Sequence, residues 1–149
     1  MKVGVLLVTL ALVPACGHDS PTAPTPAFGS HTGTWAGTVS DDSNGSGTMR
    51  IELTEVTIDA SRSLLGGAWT TTFADSSKNA SGTVGGILSD RQLSITANPT
   101  PPLTCAPVPL VPPGTFSIAA TVAGSQLAGT YSFSTCTGSA SGTIALHRQ

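Results

Sequence analysis

The sequence predicts an all-β domain, a single antiparallel meander of eight strands that closes into a barrel or, as the alternative, packs as a β-sandwich. Three observations predict it. Beyond Thr32 no stretch carries the i, i+3, i+4, i+7 apolar spacing of a helix, while apolar and polar residues repeatedly alternate, as they do on a strand with one buried face. Turn-forming clusters punctuate these runs: Asp42-Ser43-Asn44-Gly45, Asp75 to Asn79, Ser89-Asp90-Arg91, Gly124-Ser125 and Thr137-Gly138-Ser139. One hairpin pattern also recurs. Ser-Gly-Thr stands at 46–48, 81–83 and 141–143, each time opening a strand, and a strand with an aromatic residue near a glycine precedes it: Trp35 with Gly37, Trp69 with Gly67, Tyr131 with Gly129.

In chain order the strands are expected near 33–40, 47–58, 64–73, 81–89, 92–98, 115–122, 126–134 and 141–148. Met49, Ile51 and Leu53 alternate with Arg50, Glu52 and Thr54 in the second. Phe116, Ile118, Ala120 and Val122 form the inward set of the sixth, and Leu127, Gly129, Tyr131 and Phe133 that of the seventh. A lone hairpin is marginal in water, so the hairpins must join one sheet. Closing that sheet removes its exposed edges.

Residues 1–15 precede this domain as a leader. Lys2 is followed by the apolar run Val3 to Val13, then Pro14, Ala15 and Cys16. Eleven helical residues rise about 16 Å, half of a bilayer's hydrocarbon core, so the run reads as an export signal rather than a membrane span. Val13-Pro14-Ala15-Cys16 resembles the lipobox of bacterial lipoproteins. That resemblance implies a diacylglycerol on the Cys16 thiol, cleavage before it, and an exported protein anchored in the cell envelope. With Gly17 following the cysteine, it implies the outer membrane where the organism has one. Residues 16–32 read as lipid anchor and tether: Pro21, Pro24 and Pro26 favour an extended chain. The globular domain is then 33–149.

The first strand begins Gly33-Thr34-Trp35, and Arg148, near the end of the last, shares parity with Ile144 and Leu146. These marks resemble the calycins, the superfamily of lipocalins and avidins. The resemblance implies a closed barrel whose base is sealed by Trp35 and Arg148, and an interior that takes a small ligand. The large inward residues Trp69, Phe73, Phe116, Tyr131 and Phe133 are the candidate lining or core. The small residues among them (Gly37, Gly67, Gly86, Ala97, Ala120, Gly129) leave room for a cavity or interdigitate into a solid core.

With Cys16 taken by lipid, Cys105 and Cys136 form an even pair in an exported domain and read as a disulfide, worth roughly 3 kcal/mol on the chain-entropy estimate. Cys105 lies in the one long connection, 99–114, whose seven prolines exclude helix and central strand. It also carries Leu103, Val108, Leu110 and Val111, and reads as a structural cap, a lid over the barrel mouth or a partner-binding ridge.

Charged residues are 9% of the chain and the net charge is −2, with no basic run, which excludes nucleic-acid partners. Of the histidines, His18 and His31 fall on the tether and His147 on an outward parity; His18 precedes Asp19, but two residues on a tether cannot fix a coordination geometry, and no histidine falls in a catalytic motif. Motifs for nucleophilic, zinc or phosphate chemistry are absent, and no cofactor or metal is expected. The expectation is a non-catalytic, membrane-anchored envelope lipoprotein that binds a small apolar ligand. The alternative is a structural or protein-interaction lipoprotein, inhibitor-like, with a solid core.

Overall fold

Alternation drives the architecture. In 116–123, Phe116, Ile118, Ala120 and Val122 are buried while the residues between them are exposed. A strand of this kind needs its apolar face covered by the rest of the fold. The computed structural model describes residues 30–41, 45–102, 114–134 and 139–149. It contains strands β1 (Gly33–Asp41), β2 (Gly45–Thr57), β3 (Arg62–Phe73), β4 (Ala80–Ser89), β5 (Gln92–Pro99), β6 (Phe116–Ala123), β7 (Gln126–Ser134) and β8 (Ser139–Arg148), with one short 3₁₀ turn at Ser76–Lys78. Each strand pairs antiparallel with the next, and β1 also pairs with β8 from Trp35↔Arg148 to Asp41↔Gly142. All eight therefore belong to one closed barrel, and the sandwich alternative is excluded.

The barrel has two ends. The base carries the two-residue turns 90–91 and 124–125, the 58–61 connection and both ends of the described chain. Left-handed backbone at Asp90 (φ 54°) and Gly124 (φ 62°) matches the twist of the strands those turns join. At the mouth, β1, β3, β5 and β7 end and the even-numbered strands begin. The core runs from Trp35, Leu53, Leu127 and Leu146 at the base through Ile51, Ile95 and Ile118 to Trp69, Phe116 and Tyr131 below the mouth.

The repeated Ser-Gly-Thr has a structural reason. Its glycines lie opposite aromatic residues on the neighbouring strand: Gly47 opposite Phe73, Gly82 opposite Trp69, Gly142 opposite Tyr131. A β-carbon on Gly82 or Gly142 would stand 1.9 or 2.1 Å from the backbone oxygen of Asn98 or Ser40, the strand on the other side. Glycine lets that backbone swing inward, which bends the sheet toward closure, and the opposed ring covers the bare position.

Adjacent glycines in β4 separate this requirement from mere permissiveness. A β-carbon on the inward Gly86 would sit 2.1 Å from Ser94 O, whereas one on the outward Gly85 finds nothing nearer than 4.0 Å. Gly86→Ala is expected to destabilise by at least 2 kcal/mol, on the order of other overpacked sites. Gly85→Ala is expected to be neutral or to stabilise by up to about 1 kcal/mol through the unfolded chain. Paired denaturant melts of the two variants check this.

Candidate functional site

The base is plugged. Residues 30–32, which the sequence places in the tether, pack against the base of the barrel, where their carbonyls accept from side chains of β1 and β8. The Trp35 indole N–H donates to His31 O at 3.0 Å, and the Arg148 guanidinium donates to Ser30 O and Thr32 O at 2.9 and 2.6 Å. Arg148 pairs with Trp35 in register, yet it is exposed and its hydrogen bonds go to those carbonyls rather than into the interior with Ile144 and Leu146.

Under the same end lies a buried acid. The Glu55 side chain is 3% exposed, and it accepts from the His31 backbone N–H at 2.5 Å, with the His31 ring nitrogen at 3.4 Å. The Glu55 N–H donates to the Thr32 hydroxyl. Burial pushes the Glu55 carboxyl up, but the His31 backbone N–H, the Ser63 hydroxyl and the His31 ring outweigh it and hold the group below 4.5. Sequence reasoning missed this pair because 24 residues separate its members and the tether composition hid His31.

At the mouth the inward residues change character. The Phe116 ring meets Trp69 edge-on at 4.9 Å, stacks on Phe133 at 4.7 Å and lies tilted against Tyr131 at 5.6 Å. Trp69 is anchored from behind by its indole N–H on Asn98 O. Tyr131 is anchored by its hydroxyl, which donates a very short hydrogen bond to Asp41. Burial, and then the Asp41 carboxylate, push the Tyr131 phenol well above its usual 10.0, so it stays a protonated strut. Above this cluster opens a cavity of about 590 Å³, with Phe73, Phe116, Phe133, Pro99, Pro101 and Lys78 among its lining.

The five nominated aromatic residues thus divide. Phe73, Phe116 and Phe133 line the cavity, while Trp69 and Tyr131 back Phe116 from below. The inward glycines do not open the interior: a β-carbon on Gly37, Gly67 or Gly129 would meet neighbouring backbone at 2.1, 1.8 and 2.2 Å. The cavity lies at the mouth end. Its rim is held by side chains that sequence reasoning passed over as a turn. Asp75 accepts from the Ser77 N–H and hydroxyl, and the Asn79 side chain accepts from the Phe73 N–H at 2.8 Å. The Asp75-x-Ser77 spacing is a cap signal that could have marked a fixed loop.

A second concavity, about 750 Å³, lies along the outer wall of β5 to β8 and β1. Ser94, Thr96, Ser117, Thr130 and Ser132 line it with hydroxyls. Among the described residues no group of three His, Cys, Asp or Glu side chains could hold a metal. Cys16, Cys105 and Cys136 lie outside the described residues, as do Leu103, Val108, Leu110 and Val111. The strands flanking the connections of Cys105 and Cys136 all meet the mouth. Compared with protein-family models, curated proteins and solved structures, the chain has no significant match.

The base plug makes a pH-dependent prediction. An acid held below its unfolded value stabilises the fold above that value and ceases to do so as pH falls through the folded one. Glu55→Gln is therefore expected to be less stable than the wild type by roughly 1 kcal/mol at neutral pH. Urea melts from about pH 7 down to 3 should show that gap closing once the pH passes below 4.5.

Proposed function

We propose that the protein is an exported, lipid-anchored envelope protein whose barrel holds a small apolar ligand at its mouth and performs no catalysis. The observation that carries this reading is the cavity of about 590 Å³ floored by Phe73, Phe116 and Phe133. Its volume lies within the roughly 300–1,000 Å³ range of small-molecule sites, and apolar walls with a few polar rim groups are how such sites are built. Lys78, Ser77 and Asn79 sit along that rim, so a ligand with one polar end would place its apolar body on the rings and its polar end outward. The anchoring half of the reading rests on Val13-Pro14-Ala15-Cys16, and the likeness to calycins on Gly33-Thr34-Trp35 and Arg148.

A second reading, a structural or protein-interaction lipoprotein, is favoured by the interior below the mouth, where the large side chains of Trp35, Ile51, Leu127 and Leu146 are fully buried in one apolar core.

Native mass spectrometry of the mature chain, purified gently from an exporting bacterial host, separates the two. Ligand capture predicts a reproducible added mass that disappears on unfolding. It further predicts that Phe133→Asp, at the half-buried ring stacked on Phe116, abolishes that mass while circular dichroism records a folded barrel. A clean apo mass, with no uptake of an added apolar probe such as N-phenyl-1-naphthylamine, contradicts ligand binding and leaves the interaction reading.

A further inference from the structure

The outside of the barrel is mostly Ser, Thr, Ala and Gly, and the large apolar side chains exposed among the described residues gather in one place. Val56 is 66% exposed, Leu64 50%, Ile58 45% and Ile87 45%. Register puts them side by side: Val56 pairs with Leu64 across β2 and β3, Leu64 pairs with Ile87 across β3 and β4, and Ile58 follows just beyond β2. The next outward row toward the mouth is Thr54, Gly66 and Gly85, so two of its three positions carry no side chain and the aliphatic row stands proud. A contiguous row of this kind on an otherwise polar surface marks a contact surface.

The path of the chain says what meets it. Residues 30–32 reach the barrel beside this row: His31 and Thr32 hydrogen-bond Glu55, the residue next to Val56. Cys16 lies fourteen residues before Ser30, a reach of at most roughly 50 Å when fully extended. A lipid on Cys16 therefore keeps the base end of the barrel, where the chain enters beside Val56, within that reach of the bilayer, while the mouth lies at the other end of the strands.

We infer that this flank of β2, β3 and β4 rests on the phospholipid surface, with Val56, Ile58, Leu64 and Ile87 inserted at the boundary between headgroups and acyl chains and the mouth cavity facing away from the bilayer. The inference builds on the lipoprotein reading. The ionic groups beside the row are balanced: Arg62 contacts Asp59 at 2.6 Å and holds that carboxyl down to about 2. Contact is thus apolar in origin and is expected to be indifferent to salt and to the anionic lipid content.

The test uses the mature full chain from an exporting host, with its intact mass recording the diacylglycerol on Cys16. Reconstituted in phosphatidylethanolamine–phosphatidylglycerol vesicles containing a phosphatidylcholine with a diazirine in its acyl chain, the protein is irradiated and the adducts are mapped. At least tenfold more adduct is expected on 54–64 and 84–89 than on the rim segment 70–81. The combined variant Val56→Ser, Leu64→Ser, Ile87→Ser should lose that excess while keeping its lipid and its melting temperature. Even labelling, labelling of the rim, or a dimer that shields the row overturns the docking alone. An unmodified Cys16 overturns the anchoring reading and the docking with it.

Discussion

The hydrogen-bonded seam between β1 and β8 is the constraint on which the rest of the structure depends. Trp35 through Asp41 pair with Arg148 through Gly142, and this joint turns a meander with two open edges into a ring with none. Both ends of the seam are fastened by side chains that serve other purposes. At the base, Arg148 and Trp35 bind the carbonyls of residues 30–32. At the mouth, Asp41 at the end of β1 accepts from Tyr131, which faces Gly142 of β8. The polar groups at the seam are thereby satisfied inside the structure, where an unpaired group would cost roughly 1–3 kcal/mol.

Closure then divides the interior. Tight approach of neighbouring backbones at Gly37, Gly67, Gly86 and Gly129 draws the wall inward, and the branched and indole side chains fill what remains. Near the mouth the lining passes to Phe73, Phe116 and Phe133, of which Phe116 and Phe133 stack, and the cavity opens above them. The cavity is thus a consequence of which residues stand on the last inward row. Trp69 and Tyr131 fix the ring that forms its floor.

Much of this was legible in the sequence because one residue in two repeats the same instruction. The alternation in Met49-Ile51-Leu53 and Phe116-Ile118-Ala120-Val122 locates strands and their inward faces, and the turns at 90–91 and 124–125 set register. The Ser-Gly-Thr repeat was visible as a repeat, but its purpose was not: pairing glycine against Phe73, Trp69 and Tyr131 is a property of register between strands. The inward glycines were ambiguous for the same reason, since absence of a side chain signals a void or a close backbone equally well. His31 and Glu55 were illegible because their pairing joins a proline-rich approach segment to the far end of β2. The exposed row Val56, Leu64 and Ile87 is likewise assembled across three strands.

The barrel carries a buried apolar core at its base and an apolar cavity at its mouth, the proposed seat of the ligand. Aromatic-ring resonances of the mature chain, recorded by NMR during titration with N-phenyl-1-naphthylamine, test it most directly. Binding at the mouth shifts Phe73, Phe116 and Phe133, moves Trp69 and Tyr131 less, and leaves Trp35 unchanged. Shifts at Trp35 or Leu127, or none at the mouth at saturating probe, would contradict it.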